Sequence, residues 1–273
     1  MFFLLFFSFS AGSLASSKLT PEQTILYSTT FIQTSSQNGT GFVWKRRDGY
    51  NFIVTCRDVL KGASFARFSF SEEVDKLAAH ARTVPKMLSK CDLFVQDIQK
   101  VAVYHPSFDV NLVIIPFAKL VNRKHQLLLT NVSCVSGTLF RTQIGHEIVP
   151  TAEQAASISF DHPLTFVGYP FNLFEPLTML PLISRGFIAS PFNIKWDGKA
   201  QFLIDSKVPP SSSGSPVFLI ENMPQEHGTK LLFLGVLNST LPSFNNEATF
   251  ASVMKLEILQ ETLKFWQQQQ SSE

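Results

Sequence analysis

The sequence has almost no excess of charge of either sign. It contains 23 Lys and Arg against 21 Asp and Glu, which leaves a formal net charge of +2 over 273 residues, and no block of basic residues occurs. A nucleic-acid-binding domain normally presents clustered positive charge. The composition therefore gives no support for a nucleic-acid partner.

Cysteine is equally scarce. The three cysteines, Cys56, Cys91 and Cys134, lack the spacing of metal ligands, and at most one intramolecular disulfide can form among them. A disulfide-stabilised scaffold would need more. We therefore expect three buried thiols, and no cysteine pairs with a histidine motif as a nucleophile would. Internal repeats and phosphate-binding glycine loops are also missing, so we expect neither a metal nor a cofactor.

Apolar residues are abundant. The hydrophobic fraction is 45%, and 27 residues are Phe. This is ample for a core, which excludes a disordered chain. The length fits one large all-β domain or two small ones.

The N-terminus is a short apolar segment followed by small residues. Residues 1–17 read MFFLLFFSFSAGSLASS, in which Ser13-Leu14-Ala15 resembles a signal-peptidase site, although Lys and Arg are lacking before the apolar run. The segment is too short to span a bilayer. We expect residues 1–16 to be a signal peptide and the mature chain to be secreted and free of the membrane. An apolar strand or a misassigned start codon is the alternative. Three glycosylation sequons, at Asn38, Asn131 and Asn238, agree with secretion.

Turn and periodicity signals indicate β structure up to the last helix. Residues 24–33 are rich in β-branched and aromatic residues and predict a first strand. Residues 40–46 and 50–56 flank Arg47-Asp48-Gly49, which predicts a hairpin. Thr151 is a candidate helix cap. Apolar residues recur with helical spacing near the C-terminus, at Val253, Leu256, Ile258, Leu259, Leu263 and Trp266.

One loop is rich in small residues and bounded by proline. Pro210-Ser211-Ser212-Ser213-Gly214-Ser215-Pro216 directly precedes the apolar run Val217-Phe218-Leu219-Ile220. This pattern predicts a tight loop that leads into a strand. A serine in such a loop is exposed, and nearby amide groups could stabilise an oxyanion.

Several ordered motifs together resemble the trypsin-like serine proteases over roughly residues 20–260. They are Gly39-Thr40-Gly41-Phe42, Ile53-Val54-Thr55, His105-Pro106, Phe108-Asp109-Val110-Asn111-Leu112, Gly168-Tyr169-Pro170 and Ser212-Ser213-Gly214-Ser215-Pro216. The resemblance implies an all-β fold of two packed antiparallel β-barrels with a C-terminal α-helix. On this basis we expect barrels over 17–135 and 136–252, a helix over 253–268 and a frayed tail over 269–273.

The resemblance also implies a site with two departures from the family pattern. Ser213 takes the place of the nucleophile, and Asp109 takes the place of the aspartate that orients the histidine. Asp58, on an expected single helical turn, stands where the family has that histidine. Ser211 replaces a glycine whose amide, together with that of Ser213, forms the oxyanion hole. A carboxylate is a much weaker base than an imidazole, so the pattern favours a protein that has lost hydrolysis.

The same resemblance implies a cleft for a peptide or protein. It places Lys207 at the floor of the specificity pocket, and it places Leu234 and Gly235 on the strand that pairs with an extended peptide. Two alternatives stay open. The chain could be an active endopeptidase that uses a histidine from elsewhere, or a purely structural secreted β-protein. The sequence indicates no oligomeric state.

Overall fold

The computed structural model describes residues 19–74, 87–117, 129–133, 142–160, 162–223, 228–241 and 250–271. The expected signal peptide, Cys134 and three of the six histidines (His80, His125 and His227) lie outside these ranges. Within them, no helix combines the length and apolar character needed to cross a membrane.

The N-terminal half is one twisted, mainly antiparallel sheet. Its strands are β1 Thr29–Thr34, β2 Asn38–Lys45, β3 Asn51–Thr55, β4 Phe65–Val74, β5 Met87–Gln96, β6 Val103–Tyr104, β7 Val113–Pro116, β8 Leu129–Ser133 and β9 Ile144–Gly145. The hydrogen-bonded order is β6-β7-β3-β2-β1-β4-β5-β8, and β9 pairs with β2 in parallel. The predicted hairpin is confirmed, because β2 pairs antiparallel with β3 and Gly49 lies in the turn at φ 91°. Since β9 belongs to this half, the half extends beyond the expected boundary at residue 135.

The C-terminal half is a closed six-stranded barrel. Its strands are β10 Pro163–Gly168, β11 Leu182–Ile188, β12 Gln201–Asp205, β13 Pro216–Met223, β14 Gly228–Thr240 and β15 Phe250–Lys255. They close in the order β10-β11-β12-β15-β14-β13. The expected all-β fold of two barrel-like halves with a C-terminal helix is confirmed.

Four α-helices are described, and their ends follow local signals. They are α1 Pro21–Ser28, α2 Arg57–Leu60, α3 Ala152–Ser157 and α4 Leu256–Ser271. The strand expected over 24–33 is wrong for its first half, because Thr20 caps α1 through a capping box with Gln23. Thr151 caps α3 as predicted. Helix α4 begins after Val253, which belongs to β15.

Aromatic side chains join the two halves and the last helix. The ring of Phe233 on β14 lies 5.5 Å from Phe42 and 5.1 Å from Trp44, both on β2. Trp266 of α4 meets Phe52 of β3 edge to face at 4.9 Å. Buried aromatic rings contribute much of the apolar area that a core removes from water. One buried cluster therefore spans both halves and the last helix, while the interior of the C-terminal barrel forms a cluster of its own.

The cysteines differ from the expectation of three thiols. Cys91 is disulfide-bonded, whereas Cys56 is a free, buried thiol. The expectation is therefore wrong for Cys91. A scarcity of cysteine excludes a scaffold of several disulfides, but it does not exclude a single one.

Candidate active site

The serine loop is a tight turn with an unusual backbone. Ser212 N–H donates to the Pro209 carbonyl at 3.3 Å, and Ser215 N–H donates to the Ser212 carbonyl at 3.1 Å. Ser211 has φ 68°, a left-handed conformation that favours glycine. Ser212 is buried, and Ser213 is partly exposed. Among the described residues, Ser213 Oγ makes no hydrogen bond.

Both halves of the protein hold this loop in place. On the N-terminal side, Thr40 N–H donates to the Ser213 carbonyl at 3.0 Å, and Thr40 Oγ1 donates to the Ser211 carbonyl at 2.9 Å. On the C-terminal side, Gly214 N–H donates to the Leu237 carbonyl at 2.9 Å. Gly214 has φ 90°, and a Cβ there would overlap the Thr40 carbonyl. Glycine is therefore required at this position by its conformation and by the close approach of β2.

Asp58 lies on the single helical turn α2, as expected, and its side chain is exposed. Its N–H donates to Asn111 Oδ1 at 2.9 Å, and its carbonyl accepts from Gln37 Nε2. Just before the turn, the Cys56 thiol donates to the Leu237 carbonyl at 3.2 Å. Burial raises the pKa of Cys56 above the ordinary range of a thiol. The same Leu237 carbonyl thus contacts the segment before Asp58 and the segment after Ser213.

Asp109 does not contact Asp58 or Ser213 through a hydrogen bond. It is fully exposed, and its Oδ1 accepts from Ser107 Oγ at 2.7 Å, a bond that lowers the pKa of Asp109 below its usual value. The turn that carries Asp109 is held by Arg57, whose Nη2 donates to the carbonyls of His105 at 2.6 Å and Ser107 at 3.1 Å. Asp109 therefore makes no hydrogen bond to the residues with which the sequence groups it.

Asn111, and not Asp109, is the side chain that is hydrogen-bonded to the backbone of Asp58. Besides accepting from Asp58 N–H, it donates from Nδ2 to Asn238 Oδ1 at 2.8 Å. Asn238 Nδ2 in turn donates to Ser252 Oγ at 3.1 Å. This chain of amides connects α2 with β14 and β15. Asn111 was not expected to belong to the site, because an Asn two residues before a strand gives no sequence signal of such a role.

The three residues predicted to contact a peptide do not line a common open edge. Leu234 is buried inside the C-terminal barrel. Gly235 is paired on both sides, with Val217 of β13 and Lys255 of β15, so it has no free edge for a peptide. Lys207 is exposed on the loop before Ser213. These findings contradict the assignment of Leu234 and Gly235 to an open edge.

The open edge lies further along β14. Pairing with β13 ends at Val236, whereas pairing with β15 continues to Thr240. Leu241 N–H donates to the Phe250 carbonyl at 2.9 Å on the β15 side. Since successive residues of a strand point their N–H groups to opposite sides, Thr240 N–H points away from β15. In the described part of the chain no strand covers that side.

Comparison with known protein families gives one match. Residues 39–222 match the profile of the trypsin-like peptidase domain. The chain belongs to the trypsin-like peptidase domain family. Two solved structures are similar to it, an inactive mutant of Rv3671c from M. tuberculosis H37Rv (15% identity, TM-score 0.47) and the HtrA-type protease AlgW with a tripeptide (10% identity, TM-score 0.49). Each likeness covers 88% of this chain, and 86% and 60% of the respective relatives. No curated protein sequence matches significantly.

The described histidines of this trypsin-like peptidase domain contact residues other than Ser213. His105 is buried, with Nε2 3.3 Å from Glu261 Oε2 and Nδ1 accepting from Ser107 N–H at 3.1 Å. His162 Nδ1 accepts from Ser159 N–H at 2.9 Å. His146 lies 3.8 Å from Glu147. The described residues also contain no cluster of three or more His, Cys, Asp or Glu able to hold a metal ion.

Proposed function

We propose that this trypsin-like peptidase domain has lost hydrolysis and keeps a cleft for extended peptides. The observation that carries the proposal is the pair formed by Asp58 and Asn111. The backbone N–H of Asp58 donates to Asn111 Oδ1 at a position where a serine peptidase needs a histidine that is hydrogen-bonded to a carboxylate. Neither member of this pair can perform the corresponding task.

The chemistry of each position gives the reason. A general base must take the proton of the serine hydroxyl and then give it to the leaving group, and a carboxylate is too weak a base for this near neutral pH. Asn111 is neutral, so it could not stabilise an imidazolium if one formed. In serine peptidases, replacing the triad aspartate by asparagine costs about 10⁴-fold in kcat. The missing general base at position 58 and the missing carboxylate at position 111 each lower the rate of hydrolysis, whatever the affinity for the substrate.

The oxyanion site supports the same conclusion with less weight. Ser211 keeps the left-handed backbone that the family reaches with glycine, at φ 68°. This conformation is costly for a residue with a Cβ, by about 1–2 kcal/mol. An oxyanion hole that includes Ser211 would therefore be strained, and this strain favours a rearrangement of the loop.

Peptide binding rests on the open edge of β14. Thr240 N–H points to the side that β13 leaves free, three residues after Leu237, whose backbone is hydrogen-bonded to Gly214 and Ser215 of the serine loop. An extended peptide can add to such an edge through main-chain hydrogen bonds. We further propose that the mature protein is secreted, on the basis of the apolar segment over residues 1–16.

Two measurements on the mature chain test the proposal. The first is the hydrolysis of casein and the labelling of serine by a fluorophosphonate, beside Ser213→Ala. We expect no activity that depends on Ser213. Activity or labelling that Ser213→Ala abolishes would overturn the loss of hydrolysis and revive the alternative of a relocated base.

The second is the retention of casein peptides by the immobilised chain. Thr240→Pro removes the N–H at the open edge without breaking a bond to β15, and Thr240→Val is the matched control that keeps this N–H. We expect Thr240→Pro to lose most of the retention and Thr240→Val to keep it. Equal retention by both variants would contradict the peptide cleft, and no retention by the native chain would favour a purely structural protein.

A further inference from the structure

A second cleft lies between the β2–β3 hairpin and helix α4. It has a volume of about 480 Å³. Trp44, Val149 and Leu263 provide its apolar floor. A volume of this size is in the range of small-molecule sites.

This cleft is remote from the serine loop. The hairpin turn precedes Asn51 at one end of β3, and Thr55 at the other end contacts Thr40 beside the serine loop. A strand rises about 3.3 Å per residue, so the two ends are about 13 Å apart. The cleft is therefore separate from the peptide edge of the proposed function.

One wall of the cleft is held rigidly by Arg46. Its guanidinium forms an ion pair with Asp48, lies 5.1 Å from the ring centre of Trp266, and donates to Gln267 Oε1 at 3.2 Å. The ion pair lowers the pKa of Asp48 and keeps this carboxylate charged. Because Asp48 is already paired with Arg46, its charge does not neutralise the other cations of the cleft.

The rim of the cleft carries unpaired positive charge. Arg47 and Lys264 line it and are exposed, and among the described residues neither side chain forms a hydrogen bond or an ion pair. His146 also lines the rim, and Nδ1 lies 3.8 Å from Glu147. Glu147 is therefore the acidic residue next to His146 at the rim. Arg47 and Lys264 are thus two cations that face one apolar cleft without an acidic partner.

We propose that this cleft binds a small organic anion with an apolar body, such as an aromatic sulfonate or carboxylate. The apolar body would cover the exposed part of Val149 and the small exposed edges of Trp44 and Leu263, which are otherwise buried in the core, and remove that apolar surface from water. The anionic group would lie at the rim, where Arg47 and Lys264 donate charge-assisted hydrogen bonds. A neutral aromatic ligand gains only the apolar contact with the floor, and an inorganic anion gains only the hydrogen bonds at the rim.

A matched pair of dyes tests the proposal. 1-Anilinonaphthalene-8-sulfonate has a sulfonate on an aromatic body, and N-phenyl-1-naphthylamine has the same body without the charge. Dye fluorescence and quenching of the intrinsic tryptophan fluorescence both report binding. For the native chain we expect the sulfonate to bind at least tenfold more tightly than the neutral dye, and we expect added salt to weaken only the sulfonate. Equal affinities for the two dyes would overturn the proposal.

Charge reversal identifies the site. Arg47→Glu with Lys264→Glu should weaken binding of the sulfonate by about tenfold or more. Lys195→Glu with Lys199→Glu is the control, because it changes the net charge equally at exposed residues of the C-terminal half. Equal losses in the two double variants would overturn the site and indicate a general charge effect.

Filling the cleft provides a test that leaves its charges in place. Gln260 lines the cleft and is exposed on α4, so Gln260→Trp can occupy the space without removing a packed side chain. We expect this variant to lose both dyes and to keep the native helix content in circular dichroism. Unchanged sulfonate binding to Gln260→Trp would contradict a site in this cleft.

Discussion

Asn111 Oδ1 accepts the backbone N–H of Asp58 at 2.9 Å. The same amide donates to Asn238 Oδ1 at 2.8 Å, so a single side chain connects α2 with β14 across the two halves. A carboxylate at position 111 could accept both the N–H of residue 58 and an imidazole N–H, whereas an amide can accept but also presents a donor. Under the proposed function, position 111 is therefore the place where a carboxylate could orient a histidine at position 58.

The first prediction concerns rebuilding that triad. Asp58→His alone should gain little activity, because Asn111 neither fixes the productive tautomer nor stabilises an imidazolium. Asp58→His with Asn111→Asp should exceed the single variant by up to about 10⁴-fold in kcat. The measurement is kcat and KM on an activated peptide ester.

Two controls accompany this rebuilding. Adding Ser213→Ala should abolish the gain, and Asp58→His with Asp109→Asn should be no less active than Asp58→His alone, since Asp109 contacts Ser107. If Asp109→Asn removes the activity and Asn111→Asp adds none, the orienting aspartate is Asp109 and the role inferred for position 111 is wrong.

The second prediction concerns the left-handed backbone of the serine loop. Ser211→Gly should raise the free energy of unfolding by about 0.5–1 kcal/mol, because glycine adopts φ 68° without the strain of a Cβ. Ser239→Gly is the matched control in β14, where the backbone is extended, and it should lower the free energy of unfolding by a similar amount. Urea unfolding measures both. A Ser211→Gly variant that is less stable than the native chain would contradict strain at this residue.

The sequence predicts those parts of the fold that local chemistry determines. The Arg47-Asp48-Gly49 turn and the loop of small residues before Val217 are defined by glycine, proline and short polar side chains, and both form where expected. Helix α1 is different. It contains β-branched residues, which favour a strand. However, Thr20 and Gln23 form a capping box and Pro21 is the first helical residue, and these signals start a helix despite the strand propensity.

The site residues that were missed depend on strand register. Val113 of β7 lies opposite Thr55 of β3, and this pairing brings Asn111, two residues before Val113, to Asp58 N–H. Asp109 is only two residues away in sequence, so local spacing cannot decide between them. In the same way, pairing on both sides excludes Gly235 from the peptide edge, and this depends on the closure of the barrel.

The third prediction compares two glycines with nearly the same φ. Gly214 has φ 90° and Gly49 has φ 91°. A Cβ at Gly214 would overlap the Thr40 carbonyl and the Thr55 hydroxyl, whereas a Cβ at Gly49 meets nothing within 4 Å. Gly214→Ala should cost about 3 kcal/mol or more, and Gly49→Ala about 1 kcal/mol. Denaturant unfolding measures both, and equal costs would contradict the close approach of β2 to the serine loop.

The fourth prediction concerns the buried thiol of Cys56. Burial raises its pKa in the folded state above its value in the unfolded chain, which is about 8.5. Below that value the thiol is neutral in both states and the full stability is present. Above it, only the unfolded chain releases the proton, so the free energy of unfolding should fall by about 1.4 kcal/mol per pH unit from this group.

Unfolding by urea between pH 8 and pH 10 measures this slope. Cys56→Ala should be less stable than the native chain at pH 8 but should lose stability less steeply as the pH rises. Val59→Ala is the matched control, because it also truncates a buried side chain next to the site and leaves the thiol in place. It should keep the native slope. The burial of Cys56 as a neutral thiol would be contradicted if Cys56→Ala and Val59→Ala showed the same dependence on pH, since the thiol is the titrating group by which they differ.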